Sequence, residues 1–323
     1  MNTSIQHLSR ALSQQLRSLA AVGLLLAGAT AASATTLDLL YVSNGNNTMD
    51  KILTTGGSSV VPITGLNSPY GMAIDSSGNI YVANFAGNSI EKFTISTGVT
   101  SVFATTGLNH PVGLAFDGGG NLYAANNNGS TIERFSPTGT DLGAFATTAN
   151  GVNTPYGLAF DNVGNLYVSN GGNNTIQRIT SGGVGTPFAT TSLSTPTGLA
   201  FDQAGNLYAA NYGNNTIVKF TIAGTPSLFA NTGLSNPYGL AFDEDGNLYA
   251  SNSSTNTIEK FSSAGSDLGA FATSAAGLNS PKFLAFTNVG GAPLVVPEPG
   301  SAVLALLGGV GLLVRRRQHP VVA

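Results

Sequence analysis

The sequence predicts an all-β protein, a six-bladed β-propeller of four-stranded blades, closed by one C-terminal inner strand plus three N-terminal strands. Three observations carry this. Tyr41, Tyr81, Tyr123, Tyr167, Tyr208 and Tyr249 recur at spacings of 40, 42, 44, 41 and 41 residues. Pro69, Pro111, Pro155, Pro196, Pro237 and Pro281 keep step at 42, 44, 41, 41 and 44. Each repeat breaks into four short runs rich in aromatic and β-branched residues, punctuated by Gly, Asn, Ser and Pro, none long enough for a helix. A period of about forty to forty-five residues holding four strands is that of a propeller blade.

The chain ends show how the ring closes. The first repeat begins at its second strand, Leu39-Leu40-Tyr41-Val42, and the last stops after a first strand, Phe283-Leu284-Ala285-Phe286. The C-terminal strand therefore becomes the inner strand of a blade whose other three come from the N-terminus, and no inner edge is left free. Residues 35–290 form this body.

Outside it lie two address segments. In residues 1–34, Arg10 and Arg17 precede an apolar run from Leu19 to Ala29, and Ala32-Ser33-Ala34 supplies a small-x-small cleavage pattern. That is a secretory signal peptide, with signal peptidase as its partner. Residues 291–300 form a linker that includes Pro297, Glu298 and Pro299. Residues 301–314 are an apolar stretch, and residues 315–323 open with Arg315, Arg316 and Arg317. The stretch makes about 21 Å of helix, a short transmembrane span against a core of about 30 Å. The arginines stay on the cytoplasmic side, which puts the body across the membrane.

Composition narrows the chemistry. The 42 glycines among 323 residues imply many turns, and charged residues are only 8% while 42% are hydrophobic. With no Cys there are no disulfides, thiolate nucleophiles or Cys-based metal sites. Of the three histidines, His7 and His319 fall in the address segments, so the body holds His110 alone. The stretch Thr35–Val296 carries 7 Lys+Arg against 14 Asp+Glu. An acidic body with isolated basics does not bind nucleic acid. No cofactor or metal is expected.

Two resemblances follow from these residues. Pro297-Glu298-Pro299, the short helix and the Arg cluster together resemble the PEP-CTERM sorting signal over residues 296–318. It implies a Gram-negative envelope, transient inner-membrane insertion, processing by an exosortase-type enzyme and an association with extracellular polysaccharide. The repeat resembles the NHL family over residues 37–287, as in Gly157-Leu158-Ala159-Phe160-Asp161, Gly164-Asn165-Leu166-Tyr167-Val168-Ser169-Asn170 and Asn174-Thr175-Ile176-Gln177-Arg178. Two departures stand out. Asn44, Asn84, Asn126, Asn170, Asn211 and Asn252 replace a usual Asp, and Thr48, Ser89, Thr131, Thr175, Thr216 and Thr257 replace a frequent Arg. These losses weaken any inference to the RNA- or acid-binding surfaces of NHL relatives.

Candidate sites come last. Asp75, Asp117, Asp161, Asp202 and Asp243 each open an Asp-x-x-Gly-Asn stretch, which reads as a side-chain-capped turn. Asp243 and Asp245 also resemble the start of a calcium loop, but position 12 is Ser254 and the flanks are strands. The basics Lys51, Lys92, Arg134, Arg178, Lys219 and Lys260, one per blade, read as a solvated rim. Just after each Pro, Tyr70, Val112, Tyr156, Thr197, Tyr238 and Lys282 ring the channel mouth. On the same face lie Asn46, Asn128, Asn174 and Asn215. Rings beside amides suit a neutral sugar, the ring covering C–H faces and the amide meeting hydroxyls. The competing reading packs Tyr between blades and leaves Asn to close turns.

The expectation is a non-enzymatic, exported binding or structural protein of the envelope or extracellular matrix, with exopolysaccharide held by Tyr70, Tyr156 and Tyr238. The alternative is a propeller-type lyase or lactonase-like hydrolase. Antibiotic lyases and lactonases with this fold use several His or carboxylates in the channel, and this body offers His110 alone. No catalytic residue is assigned.

Overall fold

Short runs rich in apolar and β-branched residues, stopped every five or six positions by turn chemistry, fold as short antiparallel strands, and the second strand of each blade is buried along its whole length. The computed structural model describes residues 39–54 and 57–287. Blade 2 is typical: β4 (Pro69–Ile74), β5 (Ile80–Asn84), β6 (Ser89–Thr94) and β7 (Val99–Ala104) pair in sequence order from the axis outward. Blade 3 runs from β8 (Pro111–Phe116) to β11 (Asp141–Ala146), and blade 4 from β12 (Pro155–Phe160) to β15 (Gly185–Ala189). Blade 5 runs from β16 (Pro196–Phe201) to β19 (Pro226–Ala230), and blade 6 from β20 (Pro237–Phe242) to β23 (Asp267–Ala272). Blade 1 joins the two ends: β24 (Leu284–Thr287) pairs with β1 (Leu39–Ser43), followed by β2 (Met49–Leu53) and β3 (Ser58–Val60). The register sets Val42 opposite Leu284 and Leu39 opposite Thr287. The predicted six-blade, one-plus-three closure is the observed fold. Among the described residues no helix is long and apolar enough to cross a membrane. The signal peptide, the Pro297–Pro299 motif, the short span and Arg315–Arg317 all lie outside the described residues.

The core sits between blades. Tyr123, Ile132 and Ala146 of blade 3 pack with Leu158, Leu166 and Ile179 of blade 4, and each neighbouring pair repeats this arrangement. At the hub the inner strands meet directly. A Cβ on Gly157 would lie 2.2 Å from the Thr197 carbonyl oxygen, and one on Gly113 2.2 Å from that of Tyr156. The Gly of Pro-x-Gly is thus what lets one inner strand lie against the next.

The five Asp turns are as read. In blade 5, Asp202 Oδ1 accepts from the amides of Ala204 (3.0 Å) and Asn206 (2.8 Å). Its Oδ2 accepts from Asn206 Nδ2 (2.8 Å) and the Tyr208 hydroxyl (3.1 Å). Asp243 is occupied likewise by Asn247 and Tyr249. Two of the six basics, Lys219 and Lys260, are paired rather than left free at a solvated rim. Lys219 lies 3.3 Å from Asp202 and 5.2 Å above the Tyr208 ring. Lys260 lies 3.4 Å from Asp243 and 4.9 Å above Tyr249. The Tyr–Lys register of adjacent strands, Tyr208 opposite Lys219, puts ring and cation on one face. Burial works against the charge of Asp202, but Asn206 and Lys219 outweigh it and hold its carboxyl below the usual range.

Candidate functional site at the channel mouth

Five of the six inner strands carry a bulge at the residue after their Pro. In β12, Pro155 pairs with Asn170 and Leu158 with Val168, so Tyr156 and Gly157 together face Ser169. The same slip occurs in β4, β8, β16 and β20. A bulge re-aims a side chain, and here it acts on Tyr70, Val112, Tyr156, Thr197 and Tyr238. The sixth position is Lys282, just before β24, whose amide donates to the Ser43 carbonyl at 2.8 Å. Tyrosines from blades 2, 4 and 6 thus alternate with Val112, Thr197 and Lys282.

The tyrosines converge. The Tyr238 ring centre lies 5.7 Å from Tyr70, 6.1 Å from Tyr156, 6.1 Å from Tyr212 and 5.4 Å from Phe283. Tyr238 is only 5% exposed, and its hydroxyl has no hydrogen-bond partner among the described residues. Tyr70, Tyr156 and Tyr212 surround it half-buried. Burial, then the neighbouring phenols, push the Tyr238 hydroxyl well above its ordinary pKa, and Tyr70 is raised by the same causes. The raised values keep both phenols protonated, with O–H groups available to donate. The Tyr156 ring rests on Gly171, where a Cβ would come within 2.5 Å of it.

Lys282 is the cation of this mouth. Its Nζ sits 5.1 Å from the Tyr238 ring centre and 5.4 Å from that of Tyr70, and donates to Ser280 Oγ at 3.0 Å. The ion pairs within 4.0 Å among the described residues are Lys219–Asp202 and Lys260–Asp243, so Lys282 has no carboxylate against it. Burial pushes its pKa below the ordinary lysine value. Its backbone is pinned by Ser251 Oγ, which donates to the Lys282 carbonyl.

The sequence-predicted residues divide. Tyr70, Tyr156 and Tyr238 are brought together, but Tyr238 forms the floor. Asn174 and Asn215 lie on the same face, and their side-chain oxygens accept the amides of Thr195 (2.6 Å) and Asn236 (2.7 Å) in the next blade. Asn46 accepts from Thr48 Oγ1 at 2.7 Å, and Asn128 Nδ2 approaches Asn109 Oδ1 at 3.4 Å. All four are exposed. His110 has its ring 4.7 Å from Phe85, whose ring is 4.9 Å from Tyr70, so it stands at the outer mouth. Its backbone is at φ 52°, and its amide donates to Asn88 Oδ1 at 2.6 Å. Tyr212 and Phe85 escaped the sequence reading. The signal was there: both follow the buried Asn of a second strand, where other repeats carry Gly45, Asn127, Gly171 and Ser253. Among the described residues no three His, Cys, Asp or Glu side chains converge as a metal site.

Known proteins can now be set beside this geometry. No curated protein matches the sequence. A chain of a nidogen/laminin complex is similar at TM-score 0.69 and 20% identity, over 77% of this chain and 98% of that one. A catalytically inactive virginiamycin B lyase from Staphylococcus aureus, solved with quinupristin, is similar at TM-score 0.58 and 19% identity, over 80% and 94%. A protein assigned as a gluconolactonase is similar at TM-score 0.56 and 18% identity, over 65% and 79%. At these identities the likeness is one of fold. The family model described as Virginiamycin B lyase family matches residues 25–261. The expectation of a non-enzymatic protein is thereby corrected, because the family and two of the neighbours carry enzyme names, lyase and lactonase. It had rested on finding one His where several were expected, a count that took no account of a lysine. With the match running from residue 25 to the end of the third strand of blade 6, this chain belongs to the virginiamycin B lyase family.

Proposed function

We propose that this protein is a propeller lyase that opens a cyclic ester at the tyrosine-lined mouth, with Lys282 as the base. The observation that carries the reading is the lysine amine set between Tyr70 and Tyr238, with no carboxylate within 4.0 Å of it among the described residues. A lyase of this kind removes a proton from the carbon next to an activated one, forms a C=C bond and expels the ester oxygen as a carboxylate. It needs a base whose pKa lies near the working pH and donors at the oxygen where charge collects. Desolvation moves the Lys282 amine toward the first need, and protonated phenols such as Tyr238 and Tyr70 suit the second. The aromatic walls suit a ligand with apolar faces. The quinupristin bound by the staphylococcal lyase is the natural first probe, and a gluconolactone is the second.

The test is product mass. Elimination within a ring yields an isomer of unchanged mass, whereas hydrolysis adds one water. Mass-neutral ring opening by the wild type, reduced about 100-fold or more in Lys282→Met, is expected. Water addition would favour the lactonase-like reaction, and no turnover of either probe would count against this reading.

The site is placed outside the cytoplasm in this proposal. Support comes from Arg10, Arg17 and Ala32–Ala34 at one end and Pro297–Pro299 with Arg315–Arg317 at the other. Signal peptidase and an exosortase-type enzyme are the processing partners, and surrounding exopolysaccharide is a candidate neighbour. Intact mass of the native protein should give a start near Thr35 and loss of the segment after Pro299. The full precursor mass would exclude both cleavages.

A further inference from the structure

We infer that Lys282 is also a carbonyl-capturing amine, able to form a Schiff base with a small aldehyde or ketone at the channel mouth. This goes beyond the lyase reading and does not depend on it. The chain has five lysines, and four of them, Lys51, Lys92, Lys219 and Lys260, belong to the third-strand positions that face the second-strand tyrosines. Lys219 and Lys260 each face an Asp carboxylate, at 3.3 and 3.4 Å. Lys282 alone stands at the mouth, half-buried, between two phenol rings.

Nucleophilic lysines need a neutral amine, held by desolvation rather than paired with a carboxylate. The two lysines with resolved shifts move oppositely. Despite its burial, Lys219 is raised through Tyr208 and Asp202, while burial lowers Lys282. Capture also needs a proton source. The Tyr238 hydroxyl is buried, protonated and without a partner among the described residues, in a ring that the Lys282 amine overlies. The amine lone pair attacks the carbonyl carbon and the carbonyl oxygen takes a proton, giving a carbinolamine. The phenol protonates its hydroxyl, which leaves as water. The proton lost from nitrogen returns to the phenolate, and an imine remains. Amine and carbonyl are consumed, imine and water are formed, and no oxidant or reductant is required.

Glycolaldehyde and pyruvate, each with cyanoborohydride to fix the imine, are the probes. Intact mass and peptide mapping of the full chain give the readout. A single adduct on Lys282 is expected, formed about tenfold or more faster than on the other four lysines. Even labelling of all five lysines, or an unmodified Lys282, would overturn the inference. Lys282→Met, shown folded by its melting curve, should lose the fast adduct, and retention of it would also overturn the inference. Tyr238→Phe keeps the ring packing and should slow capture and change its pH profile. An unchanged rate and profile would remove the phenol as proton donor. Because trapping requires no ring opening, adduct formation without lyase turnover would separate this inference from the proposed function.

Discussion

At the residue scale, the replacement of an Asp–Arg pair by an Asn–Thr pair is coherent. Asn170 is fully buried, its Oδ1 accepts the Asn153 amide at 2.9 Å, and its Nδ2 donates to the Gly151 carbonyl at 2.8 Å and Thr175 Oγ1 at 3.0 Å. Asn126, Asn211 and Asn252 make the same set. Asp cannot donate, so Asn170→Asp would set a carboxylate against a carbonyl oxygen. A loss of about 3 kcal/mol is expected, read as a lower urea midpoint at constant m. A second residue-scale feature is titratable. Burial, reinforced by Asp141, pushes Glu133 up to about 7, and burial with Asp267 does the same to Glu259. Burial also raises Asp50 and Glu91. A carboxyl with a raised pKa keeps its proton in the folded state after the unfolded chain has released it. These pairs therefore stabilise below the ordinary value of 4.5, and the contribution is lost as pH climbs to about 7. Tm should fall between pH 5 and pH 8, and the Glu133→Gln, Glu259→Gln double variant should flatten that fall. An equal slope in both proteins would refute the assignment.

At the element scale, the inner strand does two jobs with three residues. In Pro-x-Gly, the bulge turns x toward the mouth, and Gly lets the next strand come close. Gly157→Ala would drive a Cβ to 2.2 Å from the Thr197 carbonyl oxygen, forcing the backbone to shift. A loss of about 1–3 kcal/mol is expected, with reduced turnover because Tyr156 is the preceding residue. Gly118→Ala is the control, since nothing lies within 4 Å of its added Cβ. Equal melting curves for the two variants would show that close approach does not matter.

At the scale of the whole molecule, closure and chemistry share one segment. Lys282 precedes β24, the strand that completes blade 1 against β1. Ending the chain at Ser280 removes both, takes away Leu284 and Phe286, and uncovers Leu40 and Tyr249, which pack in the same cluster. Loss of cooperative melting together with loss of activity is expected. Lys282→Met separates the two, since it should lose activity but melt as the wild type does. A truncated protein with an unchanged melting curve would contradict the closure.

The ring, its six blades, the Asp-capped turns and the mixed-end closure were legible in the sequence, because each is a local pattern repeated at a fixed period. Tyr70, Tyr156 and Tyr238 could be placed at the mouth for the same reason. What only the tertiary structure decided is what those residues meet there. Spacing cannot tell that Tyr238 forms a floor while Tyr70 stays half-open, since that depends on rings from blades 2, 4, 5 and 6 meeting near the axis. Nor does it reveal that Asn174 and Asn215 are committed to the neighbouring blade. Sequence places Lys282 among the six post-Pro positions at the mouth and says nothing of its basicity. Its place between two phenols arises from chain segments 44 and 212 residues away in sequence, and an amine's basicity is set by its surroundings in space.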